Sequence, residues 1–214
     1  SSAVAAFVSQ MKNQLAGRDR IPTVALLDTL MAVMSQNSPR QPPLTVTTIE
    51  RFDPARALAI YRERFADFGD FTFAFVGTVS LDSLRPRVEQ WLAALPTTGR
   101  KETWRNVSPK SPEGVITKRI RKGKEPVSQQ FAVYTGTSPK ADAQQELAAE
   151  AVGEILQTRL LEALREAMGA TYGVNAFTEL TNQPRTEYSA IIQFTSTPAQ
   201  ADTLWAAAQE IITA

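Results

Sequence analysis

The chain contains no histidine and no cysteine. The first absence excludes every histidine-based triad, the His-x-x-Glu-His and His-Glu-x-x-His zinc helices, and a histidine general base. The second excludes disulfides and thiolate metal sites. No Gly-x-x-x-x-Gly-Lys or Gly-x-Gly-x-x-Gly phosphate loop occurs, and no acidic loop of the EF-hand kind. No apolar run approaches the roughly 20 residues of a membrane span, and no stretch joins a basic start to the apolar core of a signal peptide. A net charge of +1 gives no overall field that would draw the chain to nucleic acid or an acidic membrane. Taken alone, the chain is expected to carry out no chemistry.

What is present is ample apolar content, 43% of 214 residues, in a patterned order. Residues 4–15 place Val4, Phe7, Val8, Met11 and Leu15 at helical spacing, with Gly17 as the stop. Pro22 opens a second amphipathic helix through Met34, and Asp53, followed by Pro54, caps a third with Leu58, Ile60, Tyr61 and Phe65 inward. The run FTFAFV at 71–76, bounded by Asp70 and Gly77, reads as a buried strand. A helix over 84–95 follows, with Trp91 on its apolar side and Pro96 ending it. The polar stretch 97–114 reads as a linker between two units.

Beyond it, 115–121 and 128–135 alternate as two strands around a turn at 123–126. The longest helix is expected over 142–168, with Ala148, Val152, Leu156, Leu160, Leu164 and Met168 in a four-residue row. Strands at 172–178 and 187–196 meet across a turn at 182–184, and a last helix from Pro198 carries Leu204, Trp205 and Ile211 to the final residue without a cap, as if cut inside an element. Mixed order with antiparallel hairpins predicts an α+β fold, with an antiparallel or mixed sheet and helices packed on one face. Residues 1–96 and 115–214 form its two units, and the first has a single strand that cannot make a sheet by itself.

Two side chains invite a functional reading. Arg165 sits in the last turn of the long helix, and Tyr172 lies seven residues on, past a glycine stop at Gly169. As surface residues, Arg165 would pair with Glu162 at i,i+3 and Tyr172 would merely begin a strand. As a site, their guanidinium and phenol donors would hold the carbonyls or oxyanion of an extended peptide. Lys118, Arg119, Arg121, Lys122 and Lys124 place five cations in seven residues. They could meet phosphate, but alternation without interleaved aromatics reads better as a solvated edge strand. Trp91 and Trp205 read as core, and Trp104 as a linker anchor.

LREAMGATYGV, after a long helix and before two strands, resembles the C-terminal-half signature of the pitrilysin family of inverted-motif zinc peptidases, which includes insulin-degrading enzyme and processing peptidases. The family's Arg and Tyr fall on Arg165 and Tyr172, in a setting of Leu164, Glu166 and Gly169. FDPARALAIYRERFADFGDFTFAFVGTVSLDSLRPRVEQWLAALP is similar to the family's helix–strand–helix, and RIRKGKEPVSQQFAVYTG to the strand pair opening its next domain. The resemblance implies the fold shared by LuxS and the mitochondrial processing peptidases. It also implies that 1–96 is the second half of one peptidase-like domain, 97–114 a linker, and 115–214 the first half of the next. The halves would either pair as a circular permutation, with strands 115–135 and 172–196 completing a sheet around 71–76, or each be completed by a neighbouring chain, as in a domain swap. By the same resemblance, the chain has no catalytic residue and no metal of its own. Arg165 and Tyr172 would bind substrate, zinc would lie in the N-terminal half of a longer parent, and the partners would be a peptide or unfolded polypeptide and that catalytic half or a partner subunit. A parent in the bacterial periplasm or cell envelope is implied. An inactive binding subunit of the same family is the alternative, and a nucleic-acid-binding α+β module is a third reading.

Overall fold

In this computed structural model, residues 2–168 and 173–213 are described. They fall into two compact units, one of residues 1–16 and 44–105, the other of 17–43 and 106–214. The boundary at Arg105 lies within the 97–114 stretch.

The first unit holds helices α1 (Ser2–Leu15), α3 (Val46–Glu50), α4 (Pro54–Arg64) and α5 (Leu81–Trp91). The caps are those the sequence calls for. Asp53 accepts from the Ala55 and Arg56 amides at 2.9 and 3.0 Å. Thr45 and Thr48 form a reciprocal capping box for α3, a short helix the apolar pattern did not announce. An aromatic chain runs from α4 into the following segment: Tyr61 stacks on Phe65 at 4.6 Å, Phe65 meets Phe71 at 5.8 Å, and Phe71 meets Phe68 at 4.7 Å and Phe73 at 6.4 Å.

This unit closes little of its apolar surface. Among its described residues only Leu15 and Asp67 are buried. The expected inward row of α4 is exposed at Leu58, Ile60, Tyr61 and Phe65, and Trp91, expected in a core, is 68% exposed. Residues 71–76 join no ladder, and Phe71, Phe73, Phe75 and Val76 are exposed. The buried strand expected there, and the sheet built around it within the chain, are therefore absent. Alternation and aromatic content favour a strand, but a ladder also needs a partner edge, which residues 71–76 do not meet.

Asp67 organises a buried polar site in this unit. Its carboxylate accepts from the Thr98 hydroxyl, from the Gly69 amide at 2.8 Å, from the Thr98 amide at 3.1 Å and from the Arg100 amide at 3.3 Å. The Thr98 hydroxyl, followed by the Gly69 amide, outweighs the upward push of burial and lowers the Asp67 pKa from 3.8 to about 2.

The second unit holds α2 (Pro22–Met34), β1 (Ser128–Thr137), α6 (Ala143–Met168), β2 (Val174–Thr181), β3 (Glu187–Ser196) and α7 (Ala201–Thr213). The three strands form one antiparallel sheet in the order β1-β3-β2, with Val174 opposite Phe194 and Phe194 opposite Gln130. Where β2 starts and β3 ends every second residue is buried, Val174 and Ala176 on β2 and Ile192, Phe194 and Ser196 on β3, so one face carries the core. Against it pack Leu160 and Leu164 of α6 and Leu204 and Ala208 of α7, with Trp205 stacked on Phe194 at 6.2 Å. Phe177, of opposite parity, is 49% exposed. This is the α+β fold expected, an antiparallel sheet with helices on one face.

Two details differ. Residues 115–121 form no strand, and Val115 is 98% exposed, so Arg119 and Arg121 do not share a strand face. The buried row of α6 also turns away from the expected one at its start: Val152 is 56% exposed, while Ala149 and Gly153 face β2. A side chain on Gly153 would lie 2.9 Å from the Thr178 amide nitrogen, so glycine permits the close approach. Arg185 secures the β2–β3 hairpin, bonding Glu187 at 2.8 Å and the carbonyls of Ser108 and Pro109 at 3.3 and 3.0 Å.

Two predictions follow from this packing. Leu160→Ala removes a fully buried side chain and is expected to cost about 2–5 kcal/mol, whereas Trp91→Ala should stay within about 1 kcal/mol of wild type, both read from urea unfolding midpoints. Asp67 has a folded pKa below its unfolded value, so its contribution is complete above about pH 4 and is lost as pH falls toward 2. Asp67→Asn should therefore lower the melting temperature at pH 7, with the difference shrinking as pH falls below 4 and vanishing only below about pH 2.

Candidate functional site

The candidate site lies where α6 ends and β2 begins. Arg165 occupies the last turn of α6, exposed, where a cation complements the negative end of the helix dipole. No ion pair with Glu162 forms, and among the described residues Arg165 has no hydrogen-bond or ion-pair partner. Tyr172 lies outside the described residues, as does the stop expected at Gly169.

The backbone on either side of the site is held firmly. Leu164, adjacent to Arg165 in sequence, is fully buried, and Val174, two residues beyond Tyr172, is 4% exposed. Between them Gln157 acts as a clamp. Its side-chain nitrogen donates to the Val174 carbonyl at 2.7 Å, and its side-chain oxygen accepts from the Ala176 amide at 2.5 Å. The amide thus presents the donor–acceptor pair that a neighbouring strand would offer. Two turns earlier on α6, the Thr178 hydroxyl donates to the Ala149 carbonyl. These contacts set the start of β2 relative to the helix that carries Arg165.

The same end of the sheet carries a polar cluster. The Gln130 amide bonds the hydroxyls of Ser128 and Ser196 at 3.1 and 2.9 Å, and the Ser196 hydroxyl donates to the Thr197 carbonyl at 3.0 Å. Ser196 is 2% exposed, and every buried side-chain polar atom described has a partner, so the cluster is a finished structural element.

The other residues singled out in the sequence do not gather here. Arg119 pairs with Asp202 at 3.1 Å, both exposed, a pair worth about 0–1 kcal/mol at most. Lys118 borders a shallow groove shared with Asp28, Thr29 and Asn37. Trp205 is packed against the core as expected, while Trp104 is 65% exposed. No group of three acidic side chains that could hold a metal occurs among the described residues.

Gln157 was not visible as a site-forming residue. Its signal is faint but present: Ala149, Gly153 and Gln157 make a four-residue row. Two small residues on a helix face mark close backbone approach, and a glutamine continuing that row can reach the neighbouring strand.

The description "peptidase M16 inactive domain" belongs to the family whose pattern matches residues 51–213. The periplasmic protease PqqL from Escherichia coli shares the fold with a TM-score of 0.83 at 21% identity, over 98% of this chain and 23% of that one. The ferredoxin protease FusC, a mutant in complex with Arabidopsis ferredoxin, matches with a TM-score of 0.68 at 16% identity, over 99% of this chain and 23% of that one. The chain therefore spans less than a quarter of the length of either structure. No curated protein matches it in sequence.

Replacing Gln157 by alanine leaves an edge donor and an edge acceptor of β2 without their protein partner. The expected cost is about 1–3 kcal/mol in chemical denaturation. Amide exchange at Ala176 should accelerate more than at Ile192, which separates loss of the clamp from general loosening.

Proposed function

The chain belongs to the family of peptidase M16 inactive domains, and on that premise we propose that it is a non-catalytic part of the C-terminal half of a longer zinc-dependent peptidase, where it forms part of the substrate chamber and presents Arg165 and Tyr172 to a bound peptide. The observation that carries the reading is the state of Arg165: exposed, without a partner among the described residues, and mounted on the end of a helix whose last buried turn is clamped to the sheet. A cation on a helix end whose backbone is fixed, with no partner among the described residues, is available to an anionic or carbonyl oxygen. The phenol of Tyr172, seven residues on, would supply a second donor.

The zinc belongs elsewhere in this proposal. The chain lacks histidine and cysteine, and its described acids do not cluster, so the donor set for such a metal is not in it. The half that holds the zinc would come from the same polypeptide or from a partner subunit. The naming of FusC as a ferredoxin protease supports a polypeptide substrate, and that of PqqL as a periplasmic protease supports a bacterial periplasmic parent. No helix among the described residues is long and apolar enough to cross a membrane. In domain terms, 1–96 would be the second half of one peptidase-like domain and 115–214 the first half of the next, with 97–114 between them. The β-α-β-β-α order over residues 128–213 and the aromatic segment without a ladder at 71–76 support that division.

The test uses the chain alone and a longer protein containing it. The chain alone should not cleave an unstructured peptide, with or without added zinc; cleavage abolished by chelation would overturn the proposal. In the longer protein, Arg165→Ala should lower kcat/KM about 10²–10³-fold with zinc content unchanged, the loss typical of removing one oxyanion donor. An unaltered rate would remove Arg165 from the site. A longer protein without a His-x-x-Glu-His segment would favour the binding-subunit reading, and Arg165→Ala would then weaken peptide binding alone.

A further inference from the structure

One polar side chain interrupts the buried face of α6. Gly153, Leu160 and Leu164 are buried on that face, and the half-buried Gln157 follows Gly153 at i+4 and precedes Leu160 at i−3. Both ends of its amide are engaged by the main chain of β2: the nitrogen donates to the Val174 carbonyl at 2.7 Å, and the oxygen accepts from the Ala176 amide at 2.5 Å. An apolar side chain of similar length would fill the same space. Two hydrogen bonds exchanged for bonds to water contribute no more stability than such burial. What the amide adds is direction. Apolar contact tolerates sliding, whereas a donor and an acceptor on one planar group select one placement of the strand against the helix.

The two segments joined in this way are those that lead into the candidate site. α6 ends at Met168 and β2 begins at Val174. Leu164 and Val174 belong to one core cluster. Arg165 follows the first by one residue, and Tyr172 precedes the second by two. Farther from the site, the Thr178 hydroxyl bonds the Ala149 carbonyl, so α6 and β2 are tied at two levels and Gln157 is the tie nearer Arg165.

We infer that Gln157 is a positioning residue of this site, an inference that rests on the substrate contacts proposed above for Arg165 and Tyr172. It acts through the backbone. By holding the start of β2 at one separation from α6, it fixes the two ends of the connection that contains Tyr172, and so the spacing at which the chain can offer a guanidinium and a phenol to one peptide. A displacement of about 1 Å in such a pair costs up to about a hundredfold in rate.

The test is peptide cleavage by the longer protein, or peptide affinity if that protein only binds. Gln157→Met keeps the length and apolar stem and removes both hydrogen bonds. It should lower kcat/KM, or weaken binding, by about ten- to a hundredfold, with a cooperative melt and an unchanged zinc content. In an Arg165→Ala, Tyr172→Phe background the same substitution should have less than about a twofold further effect, because the groups it positions are gone. A purely structural role would cost the same factor in both backgrounds. Gln157→Glu supplies a second readout: a neutral carboxylic acid reproduces the donor and the acceptor, whereas a carboxylate has no proton for the Val174 carbonyl. The ratio of Gln157→Glu to wild type should therefore rise as pH falls through the glutamate titration, and this variant carries the test if Gln157→Met does not fold. An unaffected Arg165→Ala would overturn the site and this inference with it. An impaired Arg165→Ala beside a folded Gln157→Met that performs like wild type, an equal loss in both backgrounds, or a pH-independent Gln157→Glu ratio would overturn this inference alone.

Discussion

The side-chain amide of Gln157 takes the place of a neighbouring strand along β2, and the geometry of the second unit depends on it. Leu160 and Leu164 supply the driving force of the helix–sheet contact, since each fully buried aliphatic side chain contributes about 1.5–3 kcal/mol. Hydrophobic burial, however, is tolerant of sliding and rotation. The Gln157 bonds to Val174 and Ala176 are directional, and they select one register of helix against strand. Gly153 lets the helix approach near enough for those bonds to form.

That register has a consequence for function. Arg165 follows a fully buried leucine, and the strand two residues past position 172 is pinned to the same helix. The backbone from which Arg165 projects is thereby fixed in position. A zinc-holding set of histidines or cysteines is absent from the chain's own residue types.

The two units differ in how far they satisfy themselves. The second has a contiguous core between α6, α7 and one face of the sheet. The first is held by an aromatic chain along α4 and 68–73 and by the Asp67 carboxylate, and leaves large apolar side chains exposed. Such surface is costly in water.

Much of this was legible in the residues themselves. Pro22 and Asp53 mark helix starts because proline fits the first turn and a carboxylate accepts free amides there. The alternation over 187–196 predicts β3 to the residue, because period two is a property of the strand alone. The order of elements after residue 128 predicts the α+β layer, and the absence of histidine excludes catalysis by a zinc helix without any knowledge of the fold. The Arg165–Tyr172 spacing, too, is a sequence property, and it is the resemblance around it that singled the pair out. Only the tertiary structure could decide whether alternating segments become strands, since 71–76 and 115–121 have the pattern but no partner edge. It alone decided which row of α6 faces the sheet, and so brought in Gln157. Local pattern records what a segment can bury or bond; whether it does so depends on a partner distant in the chain, and that partner is written into no single stretch of sequence.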